Sequence, residues 1–384
     1  MSKTIGSDVD HRADSPWLNE AAGRLLIVGF EGVDFSPELE TLITAVRPAG
    51  LVFFRRNYPE PDGPARLRRL IEKASGLSLS LTGRPLLVAI DHEGGTVQRL
   101  PPPYTAVPPA SELAAGLTAS EMGELIERAA AELAATGFNF NFAPVADVSS
   151  PLSAFVGSRS YGDDPETVAN FGLAFVDACR RCGVLSCAKH FPGLGSAAVD
   201  PHQDLPVIAV PGDRLMLVDV EPFRRLIVRD LPAVMTTHAL YPALDAEYPA
   251  TFSERIVGLL KKDLGFQGPV LTDDLEMGAL KNQPIGEAAV RAVRAGHDFL
   301  LVCRRADYID ECRRGLAEAV ARGRLSETRL EDAFSRQALL LRRLEDGWPR
   351  LRARDEWFRR LTAASGFNAG SEAPIDPLDQ KGNI

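Results

Sequence analysis

Eight short apolar runs recur along the chain, and helical periodicity fills most of the intervals between them. The runs are Leu25–Phe30, Gly50–Phe54, Leu86–Ile90, Phe138–Phe142, Leu185–Lys189, Ala233–Thr237, Val270–Thr272 and Phe299–Val302. Each is too short for a core helix and is bounded by polar or turn-forming residues, the pattern of a strand buried on both faces. Capping chemistry marks the helices. Asp164 ahead of Pro165 opens one that stops at Gly183, because a short acceptor side chain and a proline suit the first helical positions. Thr118 with Glu121 forms a capping box for another that ends near Gly137, and Ser326 opens a last amphipathic helix to about Asp346. This alternation predicts an α/β fold, a single-domain (β/α)8 TIM-type barrel of parallel strands joined by right-handed crossovers. The third and fourth strands lie far apart, and the link between the first two is short for a full helix, so local irregularity is expected. The expected limits are an N-terminal extension over 1–20, the barrel over 21–348 and a C-terminal tail over 349–384. The Gly- and Pro-rich end from Ala364 is expected to be loosely held.

Composition narrows the function. A chain of 384 residues suits one barrel. The net charge of -9, with Lys and Arg scattered, argues against a nucleic-acid partner. No run approaches the roughly 18 apolar residues of a membrane span. The polar N-terminus lacks the apolar stretch of a signal peptide, so a cytoplasmic protein without a membrane partner is expected, with a monomer favoured. Cys179 and Cys182 form a C-x-x-C. They extend the apolar face made by Val168, Phe171 and Phe175, so core packing is expected rather than metal or redox chemistry.

Polar residues cluster where the strands end. The third strand runs into Asp91, His92, Glu93, Gly94 and Gly95, then Arg99; the fourth is followed by Asp147 and Arg159; the sixth ends in His238 and the seventh in Asp273 and Asp274. The fifth delivers Lys189 and His190 and opens a long loop to Pro206. That loop places Asp200 two residues from His202, close enough for the carboxylate to accept from one imidazole nitrogen and leave the other to move protons. Gly193 and Gly195 are expected to let it swing. In a barrel all these positions fall on the C-terminal face, where such active sites form. A ring of Asp, Arg, Lys and His suits a small hydroxyl-rich ligand. Glu93 is expected to brace the Gly94–Gly95 turn, while Asp274, His238 and His297 are expected to serve structure. His92 is open between ligand contact and support.

The motifs IDHEGGTVQRL (Ile90–Leu100), APVADV (Ala143–Val148), GSRSYGDDP (Gly157–Pro165), KHFPG with D-x-H, MTTHALYP (Met235–Pro242) and GFQGPVLTDDLEMGA (Gly265–Ala279) occur in order. Together they resemble family 3 glycoside hydrolases, and among these the short bacterial β-N-acetylglucosaminidases of cell-wall recycling. The resemblance implies Asp273 as nucleophile, His202 as acid/base and Asp200 as its partner. It implies Asp91, Arg99, Arg159, Lys189 and His190 as ligands of a terminal N-acetylglucosamine, with no metal or organic cofactor. Two-step retaining chemistry on small β-linked N-acetylglucosaminides such as muropeptides follows from it.

Two positions depart from the family pattern. Leu194 stands where F-P-G-H-G has histidine, and Pro201 stands between Asp200 and His202 where the dyad usually reads D-S-H. Proline pushes Asp200 towards an extended conformation and stiffens the tip. These departures motivate one alternative, a sugar-binding or regulatory barrel without turnover. A phosphorylase acting on the same glycosides is a second. A metal-dependent hydrolase is a third, though neither H-x-H nor H-E-x-x-H supports it.

Overall fold

The computed structural model describes residues 15–153 and 155–347, with 356 and 358–360 beyond them. The N-terminal extension up to residue 14 and most of the C-terminal tail, including the stretch from Ala364, lie outside the described residues.

Strands form at all the predicted apolar runs. In chain order they are β1 (Leu26–Val28), β2 (Gly50–Phe53), β3 (Leu87–Ile90), the hairpin pair β4 (His92–Gly94) and β5 (Val97–Gln98), then β6 (Phe140–Asn141), β7 (Leu185–Phe191), β8 (Ala233–Thr236), β9 (Val270–Asp274) and β10 (Phe299–Val302). Eight of them pair in parallel and close in the order β1-β2-β3-β6-β7-β8-β9-β10. With helices on the outside, this is the expected (β/α)8 barrel.

The principal helices are α1 (Pro16–Gly23), α2 (Pro37–Val46), α3 (Gly63–Thr82), α4 (Ala110–Gly116), α5 (Ala119–Thr136), α6 (Pro165–Arg181), α7 (Glu221–Val228), α8 (Glu254–Gly258), α9 (Ile285–Ala295), α10 (Ala306–Ala321) and α11 (Glu327–Gly347). The caps behave as their chemistry requires. Asp164 accepts from the Thr167 N–H at 2.8 Å. The Thr118 hydroxyl accepts from the Glu121 N–H while the Glu121 carboxylate accepts from the Thr118 N–H at 2.8 Å. The link between β1 and β2 is less irregular than expected. Ser36 caps it, Pro37 starts it, and the ten residues of α2 suffice for the crossover. The irregularity falls between β3 and β6, which are separated by the β4–β5 hairpin, α4 and α5.

Alternate residues along the strands, such as Ile27, Val52, Phe140, Cys187, Leu271 and Leu301, fill the barrel interior. Leu340 and Leu344 of α11 join that inner cluster, and Gln337 donates to the carbonyls of Asp298 and Arg24, which precede β10 and β1. The last helix therefore covers the N-terminal mouth and leaves the opposite end open. Cys179 and Cys182 are free thiols in the outer core, where burial pushes both up to about 12. They pack, as expected. Among the described residues no helix is long and apolar enough to cross a membrane.

Candidate active site

Strands β7 and β9, with the segments that follow β3 and β6, deliver the charged groups at the C-terminal mouth. Leu185 and Cys187 of β7 face the barrel interior, so period-two alternation aims Lys189 inward at its rim. There the ladder slips: Lys189 pairs with Met235, and Phe191 with Thr236, the next residue of β8. The bulge leaves His190 unpaired and lets it face the same mouth as its neighbour. On β9, Leu271 faces the interior, and Asp273 two residues on shares that face. A cavity of ≈270 Å³ opens here, lined by Asp91, Glu93, Val97, Arg99, Phe155, Arg159, Lys189, His190, Leu194, Pro201, His202 and Asp273.

The charged lining is one connected network. The Lys189 ammonium lies 2.6 Å from Asp91 and 2.6 Å from Glu93. Arg159 makes a two-pronged pair with Glu93 at 2.9 Å on each arm, and Arg99 reaches Asp91 at 3.3 Å. Burial works against ionising Asp91, but Lys189 and Arg99 outweigh it and hold the carboxyl well below the usual range. Glu93 is likewise penalised by burial, yet Lys189 and Arg159 bring it down to about 2. The same carboxylates hold Lys189 and Arg159 above their ordinary values despite burial.

A second group surrounds Asp273. Asp147, fully buried, accepts from His190 Nδ1 at 2.7 Å and from the backbone N–H groups of His190 and Leu194. That fixes the imidazole with Nε2 directed at Asp273, 4.0 Å away. The Asp274 N–H donates to Asp273 Oδ1 at 2.8 Å. Burial disfavours the Asp273 charge, but the His190 and His238 imidazoles, this N–H and Lys189 prevail, and its carboxyl sits below the usual value.

The long loop closes the site from above. Asp200 accepts from His202 Nδ1 at 2.7 Å and from its backbone N–H at 2.9 Å. Asp200 is held low: burial raises it, but these two bonds and the nearby His202 and Arg159 charges lower it further. Pro201 fits without loss, since neither bond needs its missing N–H and its carbonyl accepts from Ala279 at 3.0 Å. The tip is thus tied to the segment after β9, where Gly278 also donates to the His202 carbonyl.

The expectation that Gly193 and Gly195 let this loop swing is corrected. Both are buried. A Cβ on Gly195 would lie 1.7 Å from the Val148 carbonyl oxygen, and one on Gly193 would lie 2.6 Å from Asp219 Cβ. These glycines permit close approach rather than hinging. Only the tip, about Ala198 to Leu205, is at the surface.

All eight predicted site residues except Asp200 line the cavity, and Asp200 holds one that does. Glu93 departs from its expected role, because its carboxylate braces Arg159 and Lys189 rather than the Gly94–Gly95 turn. His238 is a satisfied core histidine, bonded to Thr251 and to the Asp274 carbonyl. The Asp274 side chain accepts from the Glu276 and Cys303 N–H groups below the cavity, and burial raises it to about 7. His297 bonds Thr236 and Ala292, deep in the fold. His92 is buried and does not line the cavity. Asp147 was visible as an acid inside the apolar APVADV run, a placement that demands a partner. Phe155 carried no such signal. Among the described residues no group of three or more His, Cys, Asp or Glu is placed to hold a metal ion.

The network makes a stability prediction. Lys189→Met leaves two buried carboxylates without their shared cation, and breaking a buried pair in this way costs about 3–5 kcal/mol. Thermal unfolding at pH 7 should show a melting point lower by several degrees. In the parent, Asp91 and Glu93 have lowered folded pKa values, so their stabilisation is present above the ordinary carboxylate pKa and fades as pH falls through the folded values. In the variant the repelling carboxylates titrate higher, so its deficit should shrink on acidification below about pH 5. A constant deficit down to pH 4 would contradict this account.

Residues 17–340 match the glycosyl hydrolase family 3 N terminal domain. A beta-hexosaminidase from Alkalilimnicola ehrlichii is 33% identical over 362 residues, covering 91% of this chain and 98% of that protein. A beta-hexosaminidase from Methylococcus capsulatus is 39% identical over 261 residues, 66% of this chain and 75% of that one. Among solved structures, a family 3 β-N-acetylglucosaminidase from a Paenibacillus species superposes with a TM-score of 0.81 at 36% identity, over 91% of this chain and 68% of its own. A β-N-acetylhexosaminidase from Beutenbergia cavernae superposes with a TM-score of 0.76 at 30% identity, over 87% and 99%.

Proposed function

The chain belongs to glycosyl hydrolase family 3 and is a glycosidase; from that premise we propose that it removes terminal β-linked N-acetylglucosamine from small glycosides by a two-step retaining mechanism. The observation that carries this reading is the pairing of Asp273, ionised in a ≈270 Å³ cavity, with a His202–Asp200 dyad on the same cavity's rim. That volume lies just under the roughly 300–1,000 Å³ of pockets for drug-sized ligands, which suits one terminal sugar rather than the interior of a chain.

In the first step Asp273 Oδ2 attacks the anomeric carbon, since Oδ1 is engaged by the Asp274 N–H. The glycosidic bond breaks through an oxocarbenium-like transition state, and His202 gives the proton from Nε2 to the departing oxygen. Asp200 holds Nδ1 at 2.7 Å and stabilises the imidazolium before transfer. In the second step His202 takes a proton from water, which attacks the glycosyl ester and releases sugar with its original configuration. Asp91, Arg99, Arg159, Lys189 and His190 bind the sugar. The network between them sets their positions before ligand arrives, so little reorganisation accompanies binding.

A neutral imidazole in the second step repels an anionic acceptor less than a carboxylate would, so phosphate is a competing acceptor to test. Cell-wall muropeptides in a cytoplasmic setting are the natural substrates this reading favours. The non-catalytic alternative loses support from the loop, which keeps the dyad bonded despite Leu194 and Pro201. The test is release of aryl alcohol from a chromogenic aryl β-N-acetylglucosaminide, run beside the β-glucoside, each with and without phosphate. Turnover of the N-acetyl substrate alone is expected. Faster turnover with sugar phosphate as product would assign phosphorolysis, and inert substrate with intact N-acetylglucosamine binding would assign a sugar sensor.

A further inference from the structure

The cavity is divided by chemistry. Its charged lining is Asp273 together with the cross-linked network of Asp91, Glu93, Arg99, Arg159 and Lys189, with Val97 on the adjoining hairpin. Besides His190 and His202, the remaining lining is apolar: Phe155, Leu194 and Pro201. Leu194 is 1% exposed and belongs to the same apolar cluster against which Phe155 packs, so these two residues are held by core packing rather than carried on a loose flap. Pro201 is buried and directly precedes His202.

We propose that Phe155, Leu194 and Pro201 form the leaving-group wall of the site and select aglycones presenting a neutral apolar or aromatic face beside the scissile bond. This rests on the glycosidase reading of the same cavity. A hydroxyl-rich sugar turned towards the wall would lose hydrogen bonds there without replacement, so it takes the charged half. The departing oxygen must then lie at His202, and whatever it carries runs along the surface that flanks His202. Leu194 sharpens the division, since the family pattern has a polar histidine at that position. An aromatic ring on Phe155 gains the offset or edge contact that ring pairs favour in addition to its area burial.

Benzyl and methyl β-N-acetylglucosaminides separate this effect from chemistry, because their leaving alcohols are nearly equal in acidity and differ chiefly in apolar area. The wild-type protein should prefer the benzyl glycoside in kcat/KM by on the order of tenfold or more. Phe155→Ala should bring the benzyl-to-methyl ratio to within about threefold of one, while Phe155→Trp should keep it. Should the alanine variant fold poorly, Phe155→Leu keeps bulk in the cluster and should lower the ratio severalfold. A wild-type ratio near one, or a ratio unchanged in these truncated variants, overturns the wall while leaving the glycosidase reading intact. Failure of the wild type to cleave either glycoside, or any aryl glycoside, overturns that reading itself.

Discussion

Replacing Asp273 with glycine is expected to lower turnover of an aryl β-N-acetylglucosaminide on the order of 10⁴-fold or more, the scale at which enzymes lose a covalent nucleophile. The reason lies in the geometry of β9. Asp273 is delivered inward at the end of a buried strand, one oxygen is anchored by the Asp274 N–H, and the other faces a cavity whose nearby groups keep it ionised. The diagnostic result is chemical rescue. Azide should fit the space the carboxylate vacates, attack the anomeric carbon from the same side and yield an α-glycosyl azide, because one displacement inverts where two retain. A β-azide product would remove Asp273 from the nucleophile's role. Residual wild-type turnover without azide would do the same.

His202→Ala is expected to have the second largest effect, and a selective one. A positioned acid/base contributes roughly 10²- to 10⁴-fold where a proton must move. Substrates with alkyl or sugar leaving groups should therefore lose activity on that scale in the first step. Dinitrophenyl-type leaving groups depart without proton help, so their loss should be far smaller, with the second step becoming limiting and glycosyl-enzyme accumulating. Mass spectrometry of the quenched variant should then show a covalent adduct with the activated substrate. Equal losses on both kinds of leaving group would place the acid elsewhere. The selectivity follows from position: the imidazole is 67% exposed at the rim and bonded to Asp200, outside the buried network, so its removal leaves that network untouched.

Much of this site could be read from residues alone, because its parts announce themselves locally. An acid at the end of an apolar run, as at Asp91 and Asp273, cannot be core filling. Asp200 and His202 are close in sequence, and their bond needs only a turn. Caps at Thr118 and Asp164 are likewise decided within a few residues. Glu93 is not legible in the same way, because its partners, Arg159 and Lys189, are distant in sequence. Its position two residues from Asp91 hinted at a shared face, but only the closed barrel brings Arg159 to it. Gly193 and Gly195 are hidden for a related reason. Glycine in a loop implies freedom until a neighbour such as Val148 or Asp219 is found within contact distance.

Sequence by itself determined the strands, the limits of the three helices with clear caps, the cavity's end of the barrel and the residues that meet there. These follow from period, capping and burial, which act over a few neighbours at a time. Tertiary structure alone decided which charges pair, that β7 slips at His190 and turns it towards Asp273, and that the long loop is pinned rather than swinging. It also decided that Phe155, Leu194 and Pro201 line the same cavity as the charged network. Such features depend on contacts between segments far apart in the chain, and no local propensity encodes which distant atom will occupy the space beside a given residue.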